Sequence, residues 1–117
     1  MALIASLQPL GSTVVLSVGT TAHAGVQAPG SGTPPIQVTN YRIVNEGPNT
    51  VFLAYGTTSA GAVANALIPV DGTPGSGILV ILANAVESFS LPANTWFSGI
   101  CRAAQSAVVD ILPGEGI

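Results

Sequence analysis

Tyr41-Arg42-Ile43-Val44-Asn45-Glu46-Gly47-Pro48-Asn49-Thr50-Val51-Phe52-Leu53-Ala54-Tyr55-Gly56 decides the fold class. Two runs rich in β-branched and aromatic residues flank Asn-Glu-Gly-Pro-Asn, a cluster of turn formers. The pattern predicts a β-hairpin with a connection longer than two residues. Pro48 has no N–H to give a ladder and is expected in that connection. Both arms are apolar on both faces: Tyr41 and Ile43 oppose Val44, and Val51, Leu53 and Tyr55 oppose Phe52. A hairpin half in water would alternate with polar residues. This one is expected to be covered twice and to lie at the centre of an all-β domain.

Outward from the hairpin, the pattern stays short and alternating. Before it, Thr13 to Val18 alternates as a strand, and Ile36 to Val44 is a strand whose apolar parity shifts from even to odd. A bulge or bend near Asn40 would account for the shift. Residues 19–35 read as a long loop, with Gly19, Gly25, Pro29, Gly30, Gly32, Pro34 and Pro35. Residues 1–11 are apolar and ended by Pro9 and Gly11, which suits an edge strand or an N-terminal arm lying on a neighbour. After the hairpin come a weak strand at Val63–Ile68 and the uninterrupted apolar run Ile78–Leu82, expected to be buried on both faces. Val86–Leu91 alternates, Pro92-Ala93-Asn94 turns the chain, and Thr95–Cys101 returns as the second arm of a hairpin. Ala107–Leu112 is the last strand, stopped by Pro113-Gly114. No stretch carries the apolar spacing of a long amphipathic helix. With 14 glycines and 9 prolines falling between seven or eight short strands, residues 1–117 are expected to form a single β-sandwich domain, jelly-roll-like or Greek-key.

Charge is scarce. Charged residues make up 6% of the chain, against about 25% in ordinary soluble domains. There are two arginines (Arg42, Arg102), no lysine, and five acidic residues (Glu46, Asp71, Glu87, Asp110, Glu115). Two scattered arginines make no basic patch, so nucleic acid is not an expected partner. An exterior built from Ser, Thr, Asn, Gly and apolar groups is poorly protected against association, which points to a surface normally covered by other subunits. Ala22-His23-Ala24 mimics a signal-peptidase site. Residues 1–24 nevertheless lack a basic n-region, and Gln8, Pro9, Gly11, Ser12 and Thr13 interrupt the apolar stretch. No run approaches the ~18 apolar residues of a membrane helix, so a soluble protein made in a cytoplasm, with no membrane partner, is expected.

The titratable inventory is thin. His23 is the sole histidine and sits in the Gly/Pro-rich loop, where a solvated side chain is expected rather than a catalytic base, since no elbow motif surrounds any serine. Glycosidase chemistry needs two carboxylates across a cleft, and pairs such as Glu87 and Asp110 have a simpler reading as strand residues facing water. One His and one Cys cannot build a tetrahedral zinc site, and a calcium site from Asp71 and Asn65 has no motif behind it. Cys101 alone excludes an internal disulfide and reads as a small buried hydrophobe. The expectation is no catalytic, metal or cofactor residue: not an enzyme. Trp96 is more informative, because Phe97 beside it points to the opposite face and one of the two must leave the main core. Core packing at a sandwich end, an interface anchor and a sugar-stacking platform are the three readings.

Tyr41-Arg42-Ile43-Val44-Asn45, Val51-Phe52-Leu53-Ala54-Tyr55-Gly56, Val86-Glu87-Ser88-Phe89-Ser90-Leu91 and Pro113-Gly114-Glu115-Gly116 together resemble small β-sandwich virion proteins of tailed bacteriophages, of the capsid decoration or cement type. The resemblance spans about residues 36–117 and rests on strand and turn residues, with no catalytic signature to carry over. It implies a structural protein made in the host cytoplasm and placed on the outer capsid surface of the virion. There it would clamp major capsid protein subunits as a dimer or trimer. Leu3, Ile4 and Leu7 in the arm, with Trp96, are then the candidate interface residues. The alternative is a carbohydrate- or receptor-binding module, whose aromatic platform would come from Trp96, Tyr41 or Tyr55.

Overall fold

The computed structural model describes residues 8–9, 13–28, 40–73 and 78–115. Residues 1–7 and 10–11 of the expected arm, with Leu3, Ile4 and Leu7, lie outside the described residues. So do residues 29–35 of the expected loop and 36–39 of the expected strand.

The strands are β1 (Gln8–Pro9), β2 (Val14–Val18), β3 (Val26–Gln27), β4 (Asn40–Pro48), β5 (Val51–Gly56), β6 (Ile78–Ile81), β7 (Val86–Ser90), β8 (Trp96–Ile100) and β9 (Ala107–Glu115), with one helix, α1 (Ser59–Asn65). They form two antiparallel sheets. The first runs β2–β9–β4–β7, with β1 continuing the β2 side of β9; the second runs β3–β8–β5–β6. Pairing is mirrored along the chain: β2 with β9, β3 with β8, β4 with β7 and β5 with β6. The chain is thus one long antiparallel ribbon whose tip is residues 57–77. Folding the ribbon over adds β4 beside β9 and β5 beside β8. That winding is a jelly roll, so the all-β sandwich expected from the sequence is the fold.

The deciding stretch is central, but it is not a hairpin. β4 belongs to the first sheet and β5 to the second, and the two face each other across the core. Tyr41, Ile43 and Asn45 of β4 and Val51 and Leu53 of β5 are fully buried there. Pro48 ends β4 opposite Ala107 rather than sitting in the connection, after an irregularity between Asn45 and Pro48. From Asn40 onward pairing with both β7 and β9 is regular as far as Asn45, while the parity shift expected between Ile36 and Asn40 falls largely outside the described residues. Gly47 has φ +85°, a backbone that favours glycine. Asn45 holds this corner. Its Nδ2 donates to the carbonyls of Asn49 (2.9 Å) and Ile81 (3.0 Å), and its Oδ1 accepts from the Gly47 N–H (2.8 Å). A polar side chain at zero exposure is tolerable because its hydrogen-bonding atoms are used.

Three further expectations are corrected by the same topology. β7 and β8 are also split between sheets, so Pro92-Ala93-Asn94 carries the chain across the sandwich rather than around a hairpin. Ile78–Leu82 is not covered on both faces. β6 is an edge strand, with Ile81 buried but Val80 and Leu82 exposed by 50% and 61%. Pro113-Gly114 does not stop β9, which runs on to Glu115. Pro113 pairs with Tyr41 of β4, and Gly114 pairs with both Asn40 of β4 and Pro9 of β1.

Val63–Ile68, expected as a weak strand, is corrected as well: residues 63–65 end helix α1. Thr58 is its N-cap, the hydroxyl accepting from the Gly61 N–H at 2.9 Å. The helix lies on the outer face of the second sheet. Gly56 approaches it so closely that a Cβ there would stand 2.8 Å from the Ala62 nitrogen, and Asn65 Nδ2 donates to the Tyr55 carbonyl at 3.0 Å. Residues 19–28 are not free loop either. Gly19, His23 and Ala28 exchange backbone hydrogen bonds with Cys101, Gly99 and Thr95 along β8.

Candidate interaction surface

Strand alternation divides every side chain of the first sheet between core and exterior. On β4 the odd residues Tyr41, Ile43 and Asn45 face the core, so Arg42, Val44 and Glu46 face out. Register then sets a row across the outer face: Val15 of β2, Asp110 of β9, Val44 of β4 and Val86 of β7. The next row places Leu112 of β9, Arg42 of β4 and Ser88 of β7 side by side. Val15 and Val86 are exposed by 56% and 58%, and Val44, Val108 and Leu112 are half-buried. Among the described residues, nothing of the chain lies over this face.

The charges on it are few and grouped. Glu46, fully in water, sits beside Asp110. Their carboxyls share a hydrogen bond, and together with the repulsion from the Asp110 charge this holds Glu46 above the ordinary carboxylate value. Sequence gave no sign of this pair, because the two residues are distant in the chain and meet only through the β4–β9 pairing.

A second feature lies where α1 meets the 92–95 segment. A cleft of about 380 Å³ is lined by Tyr55, Gly56, Thr57, Gly61, Asn65, Pro92 and Thr95. Among the described residues, no carboxylate, histidine or thiol is on its wall, so they offer hydroxyl, amide and ring contacts but no group that ionises near neutral pH. Its rim is fixed by Thr95 Oγ1 donating to the Pro92 carbonyl, which also accepts from the Tyr41 hydroxyl at 2.9 Å.

The residues singled out from sequence are scattered. Trp96 is half-buried on the outer face of β8, between Gln27 and Gly56, while Phe97 is fully buried and meets Tyr41 edge-on at 5.4 Å. Tyr41 is therefore a core residue and leaves the set of platform candidates; Tyr55 is half-buried at the cleft. His23 Nδ1 donates to the neighbouring Ala24 carbonyl at 2.7 Å. Cys101 is buried, and loss of hydration pushes its thiol up. Among the described residues, no three of His, Cys, Asp or Glu gather as a metal centre, and no helix is long and apolar enough to cross a membrane. No family model, curated protein or solved structure matches the chain.

Proposed function

We propose that the protein is a structural virion component, a capsid decoration or cement protein that lies on the outer capsid surface and holds neighbouring major capsid protein subunits together. The observation that carries this reading is the apolar outer face of the first sheet, which the described residues leave uncovered, with Val15 and Val86 more than half exposed. A chain with so few charges has little else to bind with. Exposed ion pairs contribute about 0–1 kcal/mol each and are screened over roughly 3 Å at 1 M salt. Apolar burial at about 25 cal/mol per Å² is the larger source of affinity, and several subunits gripped at once by a dimer or trimer would add avidity. The jelly roll is compatible with this role and with others, since a fold alone does not fix function.

The test is co-sedimentation of the purified protein with assembled particles across a salt series. Occupancy should hardly change up to about 1 M sodium chloride, at which exposed charges are screened. It should fall for Val15→Ser and Val86→Ser. Release by salt alone, with those truncations silent, would overturn the reading.

The neutral cleft at Tyr55 favours a second reading, a carbohydrate- or receptor-binding module. Its volume lies in the range of small-molecule sites, about 300–1,000 Å³. Glycan-array binding that is lost in Tyr55→Ala, with no binding to particles, would select it.

A further inference from the structure

An edge strand presents unpaired backbone donors and acceptors, and natural sheets guard such edges with charge, proline, polar residues or short length. The second sheet ends in β3, two residues long, and in β6. The first ends in β7, which carries Glu87, and in β2, which carries Ser17 and is continued by β1. Ile78-Leu79-Val80-Ile81-Leu82 has none of these guards. Its only strand partner among the described residues is β5. The Ile81 carbonyl also accepts from Asn45 Nδ2.

We propose that β6 is a self-pairing edge: two copies of the chain join β6 to β6, antiparallel, about a two-fold axis through Val80. The register follows from geometry. A two-fold axis perpendicular to the sheet keeps each face on its own side, so residues opposed across it must share parity. The axis then falls on a residue, not between two. Centred on Val80, it sets Val80 against the second copy's Val80, Leu79 against Ile81, and Ile78 against Leu82. Every opposed pair is aliphatic, and the exposed Val80 and Leu82 both gain partners. Centred on Leu79 instead, it would oppose Ile81 to Gly77 and leave Leu82 in water. The outer face gains continuity too. Val80 lies beside Phe52 and Phe52 beside Ile100, so the two sheets would share one apolar row across the axis. The second copy is the occupant because the complement to this edge, residue for residue, is the edge itself. The pairing does not rest on the capsid reading, since it belongs to the free protein.

Sedimentation equilibrium of the full chain tests it. The wild type should be dimeric, whereas Val80→Lys and Val80→Glu should each associate at least about a hundredfold more weakly, because like charges would face each other at the axis. An equimolar mixture of the two variants should recover the dimer. A monomeric wild type, or variants that dimerise as the wild type does, would overturn the proposal. Should the charged variants fail to fold, cysteine crosslinking decides. Directly opposed residues lie about 4.5–5.5 Å apart at Cα, within disulfide reach. Val80→Cys should oxidise to a linked dimer while Val86→Cys, similarly exposed on β7, should not. Equal crosslinking at both positions would defeat the register.

Discussion

The two sheets turn similar outer faces to different fates. On the second sheet, Phe52 and Ala54 point away from the core, yet both are buried, as is Ser98 beside Ala54. Helix α1 supplies part of the cover through Ala62 and Ala66, the Ser98 hydroxyl donates to the His23 carbonyl at 2.5 Å, and the Arg102 guanidinium stacks 5.0 Å above the Phe52 ring. On the first sheet, Val15, Val44, Val86, Val108 and Leu112 receive no such layer among the described residues. The described residues finish one outer face and leave the other without a covering layer. Apolar side chains on a strand therefore do not say whether their cover is intramolecular.

That contrast can be broken or sharpened by substitution. The largest effect is expected at Ala62, the residue of α1 that is fully buried against the second sheet. Ala62→Asp would bury a carboxylate at a fully buried position and should cost roughly 3 kcal/mol or more in urea unfolding. A change below about 1 kcal/mol, well short of the usual cost of an unsatisfied buried group, would mean that α1 does not seal this face. Gly56→Ala follows, since its Cβ would press on the Ala62 backbone; a loss of about 1–3 kcal/mol is expected from displaced packing. On the bare face, Val15→Ser and Val86→Ser should stay within about 0.5 kcal/mol, so any loss of particle binding they cause is a loss of contact rather than of fold. Large destabilisation by either would reveal a cover over the first sheet after all.

The smallest effect is in pH. Glu46 is held above its ordinary value in the folded protein, so the folded state binds more proton than the unfolded one between those two values. Its contribution to stability is present below the ordinary carboxylate value and is lost as pH rises through the raised one. Glu46→Gln should flatten the melting temperature across that interval and leave it unaltered elsewhere. A wild-type melting temperature that instead rises there, relative to the variant, would mean that Glu46 and Asp110 do not share a hydrogen bond.

Strand positions were largely legible in the sequence, because period-two alternation is local. Partners were not. Asn45-Glu46-Gly47-Pro48-Asn49 looks like a hairpin turn because turn formers mark any sharp reversal, whether the chain returns beside itself or crosses to a facing sheet. The same ambiguity misassigned β7 and β8. β5 reads as apolar on both faces and is; Ile78–Leu82 reads the same way and lies at an edge, because composition cannot tell a covered strand from a bare one. Helix α1 was hidden by its brevity and by Gly61, although Thr58 is the cap a helix needs. The outer row of Val15, Val44 and Val86 existed only once register had been set, and the candidate Trp96 joined neither that row nor the cleft.

The mirrored ribbon also imposes a schedule on assembly. Closing β2 onto β9 first would close the loop from Val18 to Ala107, which costs only about 1 kcal/mol more than closing residues 57–77 because closure entropy grows with the logarithm of length. Zipping from the tip avoids that added cost and places each later pair next to one already formed. Once β5 and β6 have met across residues 57–77, β4 and β7 come together by closing only residues 49–50 and 82–85. Folding is then expected to nucleate at the β5–β6 pair and to be slow, in the millisecond-to-second range of non-local β topologies. Leu53→Ala in β5 should mainly retard folding, and Val109→Ala in β9 should mainly hasten unfolding. Stopped-flow chevrons with those two effects exchanged would place the nucleus at the opposite end of the ribbon.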